Sequence, residues 1–239
     1  LGQGHAMAAG AAVAEKFLEA RLSKTMMQHK IYAYISDGGI QEEISQGVGR
    51  IAGNLGLNNL IMFYDSNDIQ LSTECGVVIS ENTEMKYKAW GWNVITINGN
   101  DVSEIRQALN AAIKEEDRPT LIIGKTIMGK GALKEDGSSY ERNVKTHGAP
   151  LGGNAYTNTI KNLGGNPENP FIIFEDVKAL YSKREEELNN IVHKRRTAEE
   201  EWKKANPEKA TLMSKWFSGE APEIDWSKVN QKEGVATRV

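Results

Sequence analysis

A single cysteine, Cys75, stands in 239 residues. That excludes an intramolecular disulfide and a cysteine-rich zinc site, and it predicts a reducing, cytoplasmic compartment. No sign of charge dominates: 29 Lys and Arg against 32 Asp and Glu leave a formal net charge of -3. The basic excess through which nucleic-acid binders neutralise phosphates is missing, so no nucleic-acid partner is expected. No apolar run reaches the roughly 18 residues of a membrane helix, and the first residues show no charged-then-apolar leader, so no membrane partner is expected either. An initiator Met is missing as well. The chain opens on Leu1-Gly2-Gln3-Gly4, a glycine-rich turn with no strand before it, and reads as a piece cut from a longer polypeptide.

What is present is an ordinary globular composition, 39% apolar and 26% charged with 23 glycines. It excludes disorder, collagen and coiled coil, and the length allows one core with an appendage. Small and apolar residues recur at helical spacing from Ala6 to Leu22. Ile31 to Ile35 is a short apolar run, Glu42 to Leu55 is helical by pattern, and Leu60 to Tyr64 is a second apolar run. Strand, helix and strand of these lengths fit a right-handed crossover between parallel strands. The same alternation repeats with a helix at 82–90, a strand at 92–97, an amphipathic helix at 102–115 with Ile105, Leu109, Ala112 and Ile113 on its apolar face, and a strand at 120–124. The expected fold class is α/β, a mostly parallel sheet with helices on both faces, followed by a helical linker region. After Gly129 the periodicity fails for about two dozen residues, and a loop that long inside a domain is more often functional than idle. Charged helix formers dominate from Leu180 to Ala205, and the polar stretch from Ser218 to Val239 reads as a linker. The expected domains are therefore an α/β unit at 1–165 and an extension at 166–239.

In such sheets ligands gather beyond the carboxyl ends of the strands, so residues just after each apolar run carry most information. The first run ends in Asp37-Gly38-Gly39, a carboxylate on a glycine turn leading into a helix, where backbone N–H groups can face a phosphate. The second ends in Asp65-Ser66-Asn67-Asp68-Ile69. Asp37 and Asn67 are one crossover apart and can meet over neighbouring strand ends. A carboxylate, a side-chain amide and a backbone carbonyl are hard oxygen donors of the kind magnesium takes. Asp and Asn are equally common as plain turn residues, so both readings stand on spacing alone.

The stretch from Ser36-Asp37-Gly38 to Asn67-Asp68-Ile69 resembles the thiamine diphosphate signature. Leu1-Gly2-Gln3-Gly4, Glu42, Phe63-Tyr64-Asp65, Ala89-Trp90-Gly91-Trp92, Lys125-Thr126-Ile127 and Thr146-His147-Gly148-Ala149-Pro150-Leu151-Gly152 narrow the likeness to the transketolases, in order and closely over residues 1–152. The resemblance implies thiamine diphosphate and magnesium, or calcium, as cofactors. It implies Asp37, Asn67 and the carbonyl of Ile69 as metal ligands and Gly38 as a backbone donor to the diphosphate. His147 matches a histidine at the diphosphate and near the sugar. Leu1 matches a residue beside the aminopyrimidine, and Leu71 stands where the family usually has Ile against the cofactor rings. Glu42 matches an acidic residue that couples the two cofactor sites of a homodimer, although a glutamate in a first helical turn is stabilised there in any protein.

Implied activity is transfer of a two-carbon ketol unit from a ketose phosphate to an aldose phosphate in the intact enzyme, with sugar phosphates and a pyrimidine-binding domain as partners and the chain alone inactive. The alternatives are a non-catalytic cofactor- or partner-binding fragment, or another thiamine diphosphate enzyme; the His147 to Gly152 motif argues against the second. A nicotinamide site fits poorly, because Gly2-x-Gly4 lacks the third glycine and the preceding strand. One departure from the signature is Ser36, which replaces its first glycine. His5, His29 and His193 have no place in the family motifs and read as core or surface fillers, and Lys125, Lys130 and Lys134 as solvated lysines.

Overall fold

The computed structural model describes residues 1–71, 73–229 and 234. Four parallel strands, β1 (Ile31–Ser36), β2 (Leu60–Ser66), β3 (Asn93–Asn98) and β4 (Thr120–Lys125), form a sheet in the order β1-β2-β4-β3. In chain order the helices are α1 (Gln3–Arg21), α2 (Lys24–Met27), α3 (Asp37–Gln41), α4 (Glu43–Asn54), α5 (Cys75–Val78), α6 (Thr83–Ala89), α7 (Val102–Lys114), α8 (Gly153–Asn162), α9 (Glu175–Ala205) and α10 (Pro207–Phe217). Two compact units divide within α9, Leu1–Lys183 and Arg184–Val239. The expected polar linker lies within the described residues only as far as Val229, with Gly234.

Alternation along each strand sends Leu60, Met62 and Tyr64 of β2, with Ile35 of β1 and Leu121 of β4, into the larger core on one face. Ala12 of α1, Ala52 of α4 and Tyr87 of α6 cover that face. Ile61 and Ile122 point the other way, onto Ala108 and Ala112 of α7. The expected apolar face of α7 holds at Ala112, which is buried, and at Leu109, which packs against the same cluster, and it differs in taking in Ala108 and leaving Ile113 out. Ala108 is buried and Ile113 is 46% exposed, because small residues let the helix lie close to the sheet.

Helix α1 packs against α4, with Ala9 and Ala12 of the one and Ala52 of the other buried, while Gly49 of α4 lies against Trp90. Two polar residues close the amino-terminal ends of this crossing, His5 and Ser45, both buried. Burial pulls the His5 imidazole down to about 4. At the other end Glu15 is buried and accepts from Asn59 Nδ2 at 2.6 Å and from the backbone N–H of His29 at 3.2 Å. Gly53 is required: a Cβ there would lie 1.9 Å from the carbonyl oxygen of Trp90. The turn after α6 therefore lies directly on α4, and Trp92 Nε1 donates to the Gly49 carbonyl at 2.8 Å.

Helix α9 has no buried residue in 31. Acidic residues in its first turn and Lys203 and Lys204 in its last suit the helix dipole, and pairs such as Glu199–Lys203 at 2.7 Å support it locally.

Candidate functional site

The crossover β1-α3-α4-β2 brings Ser36 and Asp65 side by side in register. The segments that follow both strands therefore leave the sheet at the same place. Asp37 opens α3 with its carboxylate buried, 2% exposed. Its Oδ1 accepts from Tyr64 Oη, and its Oδ2 accepts from the backbone N–H groups of Asn67 and Asp68, both at 3.0 Å. Asp68 itself adopts φ 65°, which redirects the chain just after these two N–H groups. Asn67 Oδ1 accepts from the Ile69 N–H at 3.0 Å, and Asn67 Nδ2 donates to Asp65 Oδ2 at 3.4 Å. The loop beyond is tied by a bridge between Ile69 and Glu74 and by Cys75 N donating to the Asp68 carbonyl at 2.9 Å.

Electrostatics here are those of an underneutralised carboxylate. Burial raises the Asp37 pKa, the bonds from Tyr64, Asn67 and Asp68 N–H oppose that rise, and the Asp68 charge adds to it. Burial and the neighbouring Asp37 push the Tyr64 hydroxyl up, so it stays a donor. Cys75, next to both, is pushed up to about 12 by burial and by Asp37 and is a neutral thiol. Lys125 Nζ reaches Asp68 at 3.5 Å, but both side chains are more than half exposed and the pair is worth little.

A cavity of about 570 Å³ opens in front of this network. Leu1, Gly38, Glu42, Asn67, Ile69, Leu71 and His147, seven of the eight residues expected from the sequence, lie on its wall. They come from the start of α1, the β1–α3 turn, the α3–α4 junction, the loop after β2 and the end of the long loop. The methyl Cδ1 of Leu1 lies 3.8 Å from the place a Gly38 Cβ would take. Leu1 and Leu71 are 81% and 77% exposed, an apolar pair open to the cavity. Glu42 is the cap shared by α3 and α4. His147 follows a one-turn 3-10 helix at 144–146, and its Nδ1 is buried with no hydrogen-bond partner among the described residues.

Asp37 is the exception. It lies on the wall of an adjoining cavity of about 340 Å³. Tyr64 Oη and the N–H groups of Asn67 and Asp68 take three of the roughly four acceptor sites of the Asp37 carboxylate. Among the described residues no three His, Cys, Asp or Glu side chains converge as a metal site. Three partners of the site escaped sequence reasoning. Tyr64 lies within a quoted motif, but its bond to Asp37 follows from sheet register. Gln41 and Gln70 carry no sequence signal.

The family model for the transketolase thiamine diphosphate binding domain matches residues 1–222. The chain belongs to the transketolase family.

A Staphylococcus epidermidis transketolase is 36% identical over 93% of this chain and 33% of its own length, and one from Halalkalibacterium halodurans is 35% identical over 100% and 36%. Among solved structures, transketolase from Campylobacter jejuni matches with a TM-score of 0.78 at 34% identity, covering 92% of this chain and 33% of that one. Transketolase from Leishmania mexicana matches with 0.85 at 29%, covering 97% and 34%. The fold is thus the thiamine diphosphate-binding α/β fold of transketolases, and the chain spans about a third of the length of the relatives it matches. No helix among the described residues is long and apolar enough to cross a membrane.

Proposed function

We propose that this chain forms the magnesium and diphosphate half-site of a transketolase and, in the intact enzyme, supports transfer of a two-carbon ketol unit from a ketose phosphate to an aldose phosphate. The observation that carries the reading is the convergence of residues from five separate segments on one cavity beside a buried carboxylate. A Pichia stipitis transketolase solved with sedoheptulose-7-phosphate matches this chain with a TM-score of 0.85, which supports sugar phosphates as the substrate class.

The donor set fits the cofactor. Asp37 carboxylate, Asn67 amide oxygen and Ile69 carbonyl are hard oxygens suited to magnesium. A divalent cation offsets the burial cost that raises Asp37. The unpartnered Nδ1 of His147 is a polar atom in want of a ligand. Bound thiamine diphosphate supplies an electron sink for breaking the carbon–carbon bond beside a ketose carbonyl.

The chain's own residues bind and orient. Gly38, with no side chain, leaves its N–H open to a phosphate oxygen. Leu1 and Leu71 flank the rings and keep water from them. His147 holds the diphosphate on the side where sugar enters. Glu42, at the junction of two helices, links this half-site to its counterpart across a homodimer. By itself the chain binds the cofactor weakly and turns over no sugar, because the family's sugar-phosphate ligands have no match in these residues.

Calorimetric titration with thiamine diphosphate, in magnesium and then in chelator, tests the reading. Binding that needs magnesium supports it. Binding that ignores the chelator, or ketol transfer by this chain alone, refutes the corresponding half.

A further inference from the structure

Gln41 and Gln70 lie on the wall of the cavity that carries Leu1, Gly38 and His147. Gln41 Nε2 donates twice, to the backbone carbonyl of Asp37 at 2.9 Å and to Gln70 Oε1 at 3.1 Å. A backbone carbonyl only accepts, so Gln41 must turn its NH2 group that way. The other N–H of the same group then meets the oxygen of Gln70 and not its nitrogen. The polarity of the pair is set from the main chain outward. Gln70 is left with an NH2 group that has no acceptor within hydrogen-bond distance among the described residues.

The backbone of Gln70 is itself tied down. Gln70 N donates to the Thr73 carbonyl at 3.0 Å, and the Ile69–Glu74 bridge closes the same loop. The donor therefore sits on fixed backbone, as a binding group should. Charge in the cavity sharpens the point. Glu42 and Glu43 lie on its wall, and no Lys or Arg side chain does. An anionic ligand there must be met by a cation and by neutral donors.

We propose that Gln70 binds the diphosphate of the cofactor through its side-chain NH2 group, with Gln41 as the positioning residue that holds that group donor-outward. The proposal rests on the half-site reading above and adds a ligand that the sequence motifs do not contain.

The test is calorimetric titration of the 239-residue chain with three probes, each with magnesium: thiamine diphosphate, inorganic pyrophosphate and thiamine. Gln70→Met keeps length and loses the donor, and it is expected to weaken both phosphate probes about tenfold and leave thiamine unchanged. Gln70→Glu puts a carboxylate against the phosphates and is expected to cost about a hundredfold. Gln41→Met frees the Gln70 amide to rotate and is expected to cost about threefold, again only for the phosphate probes. Cooperative melting of each variant at the wild-type temperature shows that the loop is intact.

Unchanged phosphate affinity in Gln70→Glu overturns the proposal. So does an equal loss for thiamine, which marks damage to the loop and not a lost phosphate contact. A wild-type chain that binds neither phosphate probe overturns the half-site reading first, and the Gln70 contact with it, before any variant is made.

Discussion

Of the cavities at the carboxyl ends of the sheet, the two that flank it at β1–β2 and at β3–β4 differ in how they are charged. In front of β1 and β2 the wall carries Glu42 and Glu43, amides, a histidine and backbone groups. Beyond β3 and β4 a cleft of about 790 Å³ carries Lys125, Lys130 and Arg142 with Asp68 and Asp101. Charge alone would place a diphosphate in the second. The proposed half-site puts it in the first, where a metal ion and neutral donors would replace basic side chains. The difference is that exposed lysines attract any anion weakly, whereas oriented amides and a buried carboxylate with a cation select one geometry.

The largest expected effect comes from the carboxylate. Asp37→Ala removes the charged oxygen donor and leaves the N–H groups of Asn67 and Asp68 unsatisfied, so magnesium-dependent binding of thiamine diphosphate falls by at least about a hundredfold. Calorimetry with and without chelator reads this, and retained binding would show that the metal is not held by Asp37. Next is His147→Ala, which removes a single group from the wall and weakens binding about tenfold. An unchanged constant would leave the buried Nδ1 without a role.

The third effect is on stability and has a sign that distinguishes a binding carboxylate from a structural one. The Asp37 pKa is raised in the folded chain. The folded state therefore holds its proton more tightly than the unfolded state. Stability falls as pH rises from the unfolded pKa through the folded one, and the cost is fully present above both. Asp37→Asn, nearly the same shape, removes that cost. In metal-free buffer near pH 7 it should raise the melting temperature by on the order of 2–4 °C, the shift that about 1 kcal/mol produces in a domain this size. The gain should vanish toward pH 3, and magnesium should stabilise the wild type only. A drop in melting temperature at pH 7 would make Asp37 a structural residue. The smallest effect is expected in the second cleft: Lys130→Ala should change thiamine diphosphate affinity less than about twofold in moderate salt. A larger loss would turn the comparison around and send the phosphates to the basic cleft.

Legibility in the sequence follows burial. The runs 31–35, 60–64 and 120–124 were readable because they are nearly all apolar, as strands buried on both faces are, although only β2 and β4 are so buried and β1 exposes Tyr32 and Tyr34. Helix α8 was not, since Gly153–Asn162 fully buries only Ala155 and Thr159, neither of them a large apolar residue. Helices α2, α3 and α5 have four or five residues each, too few for any period to show. The single helix Glu175–Ala205 begins five residues before the expected start, at an acidic first turn with no apolar partner to mark it.

By itself the amino-acid sequence determined the alternation of strand and helix, the parallel class of the sheet and the residues that meet at its carboxyl ends, because apolar period and the ordered motifs are local properties of the chain. Only the tertiary structure decided that Tyr64 binds Asp37, that Asp37 stands behind the cavity and not on its wall, and that Gln41 orients Gln70. Those are contacts between segments 27 and 29 residues apart. Their geometry depends on register, on a left-handed Asp68 and on a backbone carbonyl's fixed role as acceptor, none of which leaves a mark in composition or spacing.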